Sequence, residues 1–277
     1  MPTPCIFCRK PGGSHEHLWS KALGPELAQR LPKSHKRSFK AKEDLLSGSD
    51  TFKQSGMAPY ETTIPCVCHA CNNEWMNRLD ERTRVKTTRL IRGQNASYSI
   101  GDTIQLASWL AMKMMVRDEY VSTNSAFPEE VKTNFFLTGL APREMWIGLA
   151  LCDDPMWATA FHRQDRALAT QDGRITLKEA SYTMGLGATV AFVQFPILEH
   201  PQKVPADQVL TIWPGPSAFE WPARRLLSWA EVRNISMRFN PDRESAADPF
   251  GRSQMRLHAA AHDNRHARRS SRHNSTE

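Results

Sequence analysis

Two short cysteine pairs constrain this chain more than any other feature. Cys5-Ile-Phe-Cys8 and Cys68-His-Ala-Cys71 are separated by 59 residues. Each pair offers two sulfurs from one tight turn, and two such turns supply the four ligands that tetrahedral Zn²⁺ takes in a structural site. The intervening stretch is long for a zinc ribbon. Loop closure grows only logarithmically with length, so metal bonds can offset it. Cys66 leaves other pairings open, with Cys68 or with Cys71. The matching spacing favours Cys68 with Cys71 and makes Cys66 a strand residue. His69, inside the second pair, is the alternative ligand. Cys152 reads as a small core residue.

The compartment expected from the sequence suits that reading. No run approaches the ~20 apolar residues of a membrane span. The opening Met1-Pro-Thr-Pro-Cys5 lacks the charged-then-apolar pattern of a secretory signal. A cytoplasmic protein without a membrane partner is expected, and there cysteine pairs serve metals more often than disulfides.

The net charge of +7 is unevenly spread. Residues 1–92 carry 16 Lys and Arg against 9 Asp and Glu; residues 93–242 carry 13 against 16; residues 243–277 carry 7 against 4. A basic cysteine module beside a near-neutral body points to a polyanionic partner at one end. A solvated, charge-stabilised surface is the plainer alternative.

Patterning suggests an α+β chain in three parts. Residues 1–92 form the zinc-stapled module, residues 93–241 a C-terminal α+β domain with an antiparallel sheet, and residues 242–277 a disordered basic tail. Within the module, a helical run from Leu18 to Leu31 closes at Pro32. Residues 32–58 read as a mobile basic loop, and Pro59 to Val67 as a strand entering the second cysteine pair. A helix then runs from Asn72 to about Ile91, and Gly93 ends it. Beyond it, Leu106, Trp109, Leu110, Met114 and Met115 mark a core stripe on a helix from Thr103 to about Tyr120. The runs Met145–Leu151, Met156–His162, Ser181–Met184, Thr189–Phe195 and Gln208–Trp213 read as strands. Leu226 to Val232 reads as a last short helix.

Chemistry-bearing residues flank the two cysteine pairs. Ser14-His15-Glu16-His17 follows the first, and Asn72-Asn73-Glu74-Trp75 follows the second. Joining the pairs through zinc brings these segments together. That grouping suits phosphodiester hydrolysis, which needs a base for water and a cation for the phosphate charge. A neutral His17 is available as the base at pH 7. Glu16 and Asn72 offer oxygen ligands for Mg²⁺ or another divalent ion. A zinc saturated by Cys5, Cys8, Cys68 and Cys71 has no open position and is structural. His15 competes for the role of base, and Asn73 is the fallback ligand. For Asn72, a helix N-cap is a compatible second role. On the module helix, Arg78, Arg82, Arg89 and Arg92 share one face and are candidates for DNA contact; a solvated face with i,i+4 pairs is the alternative.

These residues carry a resemblance. Cys5-Ile-Phe-Cys8, then Glu16-His17-Leu18-Trp19, then Val67-Cys68-His69-Ala70-Cys71-Asn72-Asn73-Glu74-Trp75-Met76 resemble the HNH endonuclease family over about residues 1–92. The resemblance implies a ββα-metal fold acting on DNA. It also implies Glu16 and Asn72 as ligands of the catalytic divalent ion and His17 as the general base. The family usually has an Asn shortly before the second cysteine pair, where this chain has Thr62-Thr63. A catalytically silent zinc module that binds nucleic acid is the alternative, and an interaction protein with incidental charge is a third.

Overall fold

In a computed structural model of the chain, residues 3–31, 39–44, 49–54, 58–121, 125–152, 154–155, 157–169, 175–196, 204, 206–222 and 225–238 are described. The architecture is α+β with antiparallel sheets. Among the described residues, no helix is long and apolar enough to cross a membrane. The expected tail, 242–277, lies outside the described residues.

The module opens with strand β1 (Ser14–His17), whose Ser14 and Glu16 face inward while His15 faces out. Helix α1 (Gly24–Arg30) follows, shorter than the apolar run that suggested it. The basic segment expected to be a loop contains a hairpin, β2 (Phe39–Asp44) with β3 (Ser49–Gln54), in register from Phe39↔Gln54 to Asp44↔Ser49. Few large apolar side chains occur there, so the alternation on which strand assignment rests is weak. Strand β4 (Thr63–Val67) pairs antiparallel with β1: Ser14↔Val67, Glu16↔Ile64 and His17↔Thr63, with a register shift between Ser14 and Glu16.

The second cysteine pair then turns directly into helix. A single turn, α2 (His69–Cys71), passes through a wide π turn over Asn72–Met76 into α3 (Asn77–Arg92). Gly93 stops it at φ 65°, a left-handed cap that glycine adopts without a Cβ clash. Two strands followed by a helix is therefore the local order around the cysteines, with the β2–β3 hairpin inserted between the strands.

After β5 (Ala96–Tyr98), helix α4 (Ile100–Val121) begins at a reciprocal cap. The Ser99 amide donates to Asp102 Oδ2 at 2.9 Å, and the Asp102 amide to Ser99 Oγ at 3.1 Å. From Leu106 to Asp118 every residue of α4 is buried. The expected apolar stripe is thus only one side of a helix enclosed all round, as one packed between two layers must be. Helix α5 (Glu129–Thr138) has no counterpart in the sequence reading.

The principal sheet comprises β6 (Trp146–Leu151), β7 (Phe161–Ala169), β8 (Ile175–Leu186), β9 (Thr189–Phe195) and β10 (Leu210–Trp213), in the order β10-β6-β9-β8-β7. Strand β7 starts at Phe161, not Met156. Strand β11 (Phe219–Trp221) pairs with β5, and α6 (Trp229–Arg238) lies later than the run that suggested it. One hydrophobic cluster runs from Cys5 and Phe7, through α4, to Val193 and Trp221. A second, including Trp146, Trp157, Phe192 and Val232, involves the sheet and α6.

Candidate functional site

Cys5, Cys8, Cys68 and Cys71 come together, with ligand atoms all within 4.8 Å of one another. Cys8 Sγ and Cys68 Sγ are 3.5 Å apart, close to the edge of a tetrahedron of zinc-bound sulfurs. The knuckles close through their own backbones: the Arg9 amide donates to the Cys5 carbonyl at 3.1 Å and the Cys71 amide to Cys68 Sγ at 3.4 Å. Arg9 takes φ 63°, a conformation more usual for glycine. Burial pushes the Cys71 thiol up, opposed by the Trp75 indole alongside. Cys68 is held below the ordinary thiol value. Burial acts against its thiolate, but the Cys71 amide and the neighbouring thiols outweigh that. The four-thiol donor set fits a metal such as zinc. Cys66 is a buried strand thiol driven upward by burial and stands outside the cluster, as does the exposed His69.

Beside the knuckles, Phe7 meets Trp75 edge-on at 5.0 Å, and Trp75 meets Phe135 of α5 at 5.7 Å. This aromatic contact fastens the cysteine turns to the module helix and to the rest of the chain.

Asn72 sits at the start of that helical path. Its side-chain amide donates to Ser14 Oγ at 2.7 Å and to the His15 carbonyl at 3.2 Å. The expected approach of the two flanking segments is therefore present. Glu16, however, bonds elsewhere. Its Oε1 accepts from Lys113 Nζ at 2.5 Å, and Lys113 also lies 3.4 Å from Asp80 and from the His17 carbonyl. Lys113 is fully buried and Glu16 nearly so. Burial works against the ammonium, but Asp80 and Glu16 outweigh it and hold the lysine above its ordinary value. Trp109 Nε1 donates to Asp80 Oδ1 at 2.6 Å, completing the cluster. Glu16 and Asn72 thus hydrogen-bond to different partners. Asn73 is exposed and joins neither.

His17 faces a third environment, a cleft of about 340 Å³ lined by His17, Lys21, Gly24, Pro25, Tyr60 and Glu61 among others. Its pKa is lowered chiefly by burial, with Lys113 and Lys21 adding to the effect, while Glu16 and the Tyr60 backbone oppose it. The imidazole is therefore neutral at pH 7 and can accept a proton. Its Nδ1 is buried with no hydrogen-bond partner. The Tyr60 backbone, rather than a side chain at Thr63, is the group beside the ring. Thr63 Oγ1 instead makes a long, 3.5 Å contact with His15 Nδ1.

The arginine face divides. Arg78, Arg82 and Arg89 are exposed, with Val85 between them, and no ion pair is recorded for them among the described residues. Arg92 is bound in a bidentate pair to Glu26 of α1, at 2.7 Å for both contacts, so it ties α1 to α3. Sequence reasoning missed Lys113, Asp80 and Lys21. A charged residue at the centre of an apolar helical run was the available signal for Lys113.

No protein-family model, no curated protein and no solved structure matches this chain.

Proposed function

We propose that the chain acts on nucleic acid as a phosphodiester hydrolase of the HNH type, cutting DNA with His17 as general base. The observation that carries this reading is the neutral His17 imidazole at a cleft, on the strand that the four-cysteine cluster fastens to the Asn72-bearing helix. A half-buried, uncharged imidazole at a cleft can take a proton from water. Lys21 on the same cleft places positive charge beside it, where an anionic phosphate gains most. The exposed Arg78, Arg82 and Arg89 supply phosphate contacts that position a duplex without reading its sequence. The structural zinc supplies rigidity, and no step is assigned to it.

A second reading is favoured by the Lys113–Glu16 bond: a zinc-stapled module that binds nucleic acid without cutting it. One experiment separates the two. Zinc-loaded full chain is incubated with supercoiled plasmid, with and without Mg²⁺ or Mn²⁺, beside His17→Ala. Nicking that disappears in the variant supports hydrolysis. Retarded but intact plasmid supports binding alone, and nicking that survives His17→Ala removes His17 from the role of base.

A further inference from the structure

The acidic residue beside the candidate base already has a cation. Three oxygen-bearing groups from two parts of the chain converge on Lys113 Nζ: Glu16 Oε1 at 2.5 Å and the adjacent His17 carbonyl at 3.4 Å from β1, and Asp80 at 3.4 Å from α3. These are hard oxygen donors, the chemistry that Mg²⁺ and Mn²⁺ take. The ammonium they surround is fully buried, whereas an ordinary lysine snorkels to solvent. The positions adjoining it in sequence, Ala111, Met112, Met114 and Met115, are apolar, so the charge stands out in its run. Burying an ammonium is costly unless it is paired and hydrogen-bonded, and here both carboxylates meet it.

We propose that the Lys113 ammonium takes the place of a diffusible divalent ion at Glu16, so that Glu16 anchors the module to α4 and does not ligate metal in this fold. The inference concerns the same residue as the nuclease reading and deepens it: the module's acidic residue is satisfied internally, by the C-terminal part of the chain. Hydrolysis through an ion on Glu16 then requires α4 to release it first. The Glu16–Asp80 oxygens are a hard-cation seat closed by a tethered cation, and removing Lys113 opens it to Mg²⁺ or Mn²⁺.

Mn²⁺ binding to zinc-loaded full chain, followed by electron paramagnetic resonance, tests this. Wild type and Glu16→Gln are expected to bind equal amounts. Lys113→Met is expected to gain an ion that the double variant with Glu16→Gln loses, and its melting temperature is expected to rise with Mn²⁺ while that of wild type does not. A wild type that binds one ion more than Glu16→Gln overturns the proposal, as does a folded Lys113→Met that gains none. Where the variants do not fold, the ¹⁵Nζ signal of Lys113 in wild type decides. A slowly exchanging signal that Mn²⁺ leaves unbroadened supports the tethered cation, and its loss on adding Mn²⁺ overturns it. Loss of His17-dependent nicking is a separate readout, so the nuclease reading can fail while the ion count stands.

Discussion

The four-thiol cluster and the Glu16–Lys113–Asp80 cluster both hold the β1–β4 pair, one at the end where the cysteines gather and the other along its inner face. The first uses ligands paired within two tight turns. Three of its four members are buried, and metal would complete it. The second draws its charges from positions 16, 80 and 113, is closed without any added atom, and has a cation with no exposure at all. A metal staple can be withdrawn by a chelator; an internal ion pair offers a chelator nothing to remove. The module is therefore expected to answer to two independent controls, one chemical and one genetic.

The sharpest way to break that comparison is to remove the metal. Cys68→Ser, or chelation of the wild type, is expected to forfeit metal-coupled folding worth about 10–16 kcal/mol in small zinc modules. Zinc content and thermal melting report it, and a chain that melts unchanged after chelation argues against a structural ion. Next in size is Lys113→Met, which leaves the buried Glu16 and the half-buried Asp80 without their cation. Breaking such a pair costs about 3–5 kcal/mol. A double-mutant cycle with Glu16→Gln is expected to recover part of that loss, because one of the stranded charges disappears.

Charge reversal on the outer face separates binding from stability. Replacing Arg78, Arg82 and Arg89 by Glu is expected to leave melting nearly unchanged. Replacing them singly by Gln is expected to lower the slope of log affinity for DNA against log salt by about one unit for each phosphate no longer neutralised. Arg92→Gln is expected instead to loosen α1 and leave the slope alone, since Glu26 already holds that guanidinium.

Acid provides a subtler probe. Burial lowers the His17 pKa in the folded chain, so between that value and the ordinary histidine value the unfolded chain binds the extra proton. The stability that neutral His17 provides is therefore present above the ordinary value and is lost as pH falls through it. Wild type is expected to lose stability relative to His17→Gln on acidification below about pH 6.5. Parallel melting curves from pH 8 to 5 check the sign, and a widening advantage for wild type in acid sinks it. The smallest effect is expected at Arg9→Gly. Relief of the left-handed backbone gains about 0.5–1 kcal/mol, and loss of the exposed 2.8 Å pair with Glu129 subtracts at most a similar amount.

What was legible in the sequence follows the range of the forces involved. The cysteine pairs were readable because metal geometry fixes ligand spacing within a turn. The α3 helix and its glycine stop were readable because periodicity and capping are local. Sheet pairing β10-β6-β9-β8-β7 was readable only as a set of strands, since order depends on contacts far apart in sequence. The β2–β3 hairpin reads as a loop because its strands carry few large apolar side chains, which leaves their alternation faint. Glu16 shows the limit most clearly. Its chain neighbours gave it a metal-binding role, while the partner it holds lies 97 residues away on α4. Arg92 repeats the lesson, since the helix face it shares with Arg78 said nothing of Glu26.

Helix α4 also bears on where this chain can be cut. Its middle is buried on every side, between the cysteine-stapled strands and the large sheet. A piece ending at Gly93 keeps all four cysteines but loses Lys113, Trp109 and the apolar wall behind Leu90 and Ile91. Such a piece is expected to bind zinc and still be insoluble, with Glu16 and Asp80 repelling one another across an open seam. The change in composition near residue 92 is thus a border in the text of the chain that the packing of its interior does not observe.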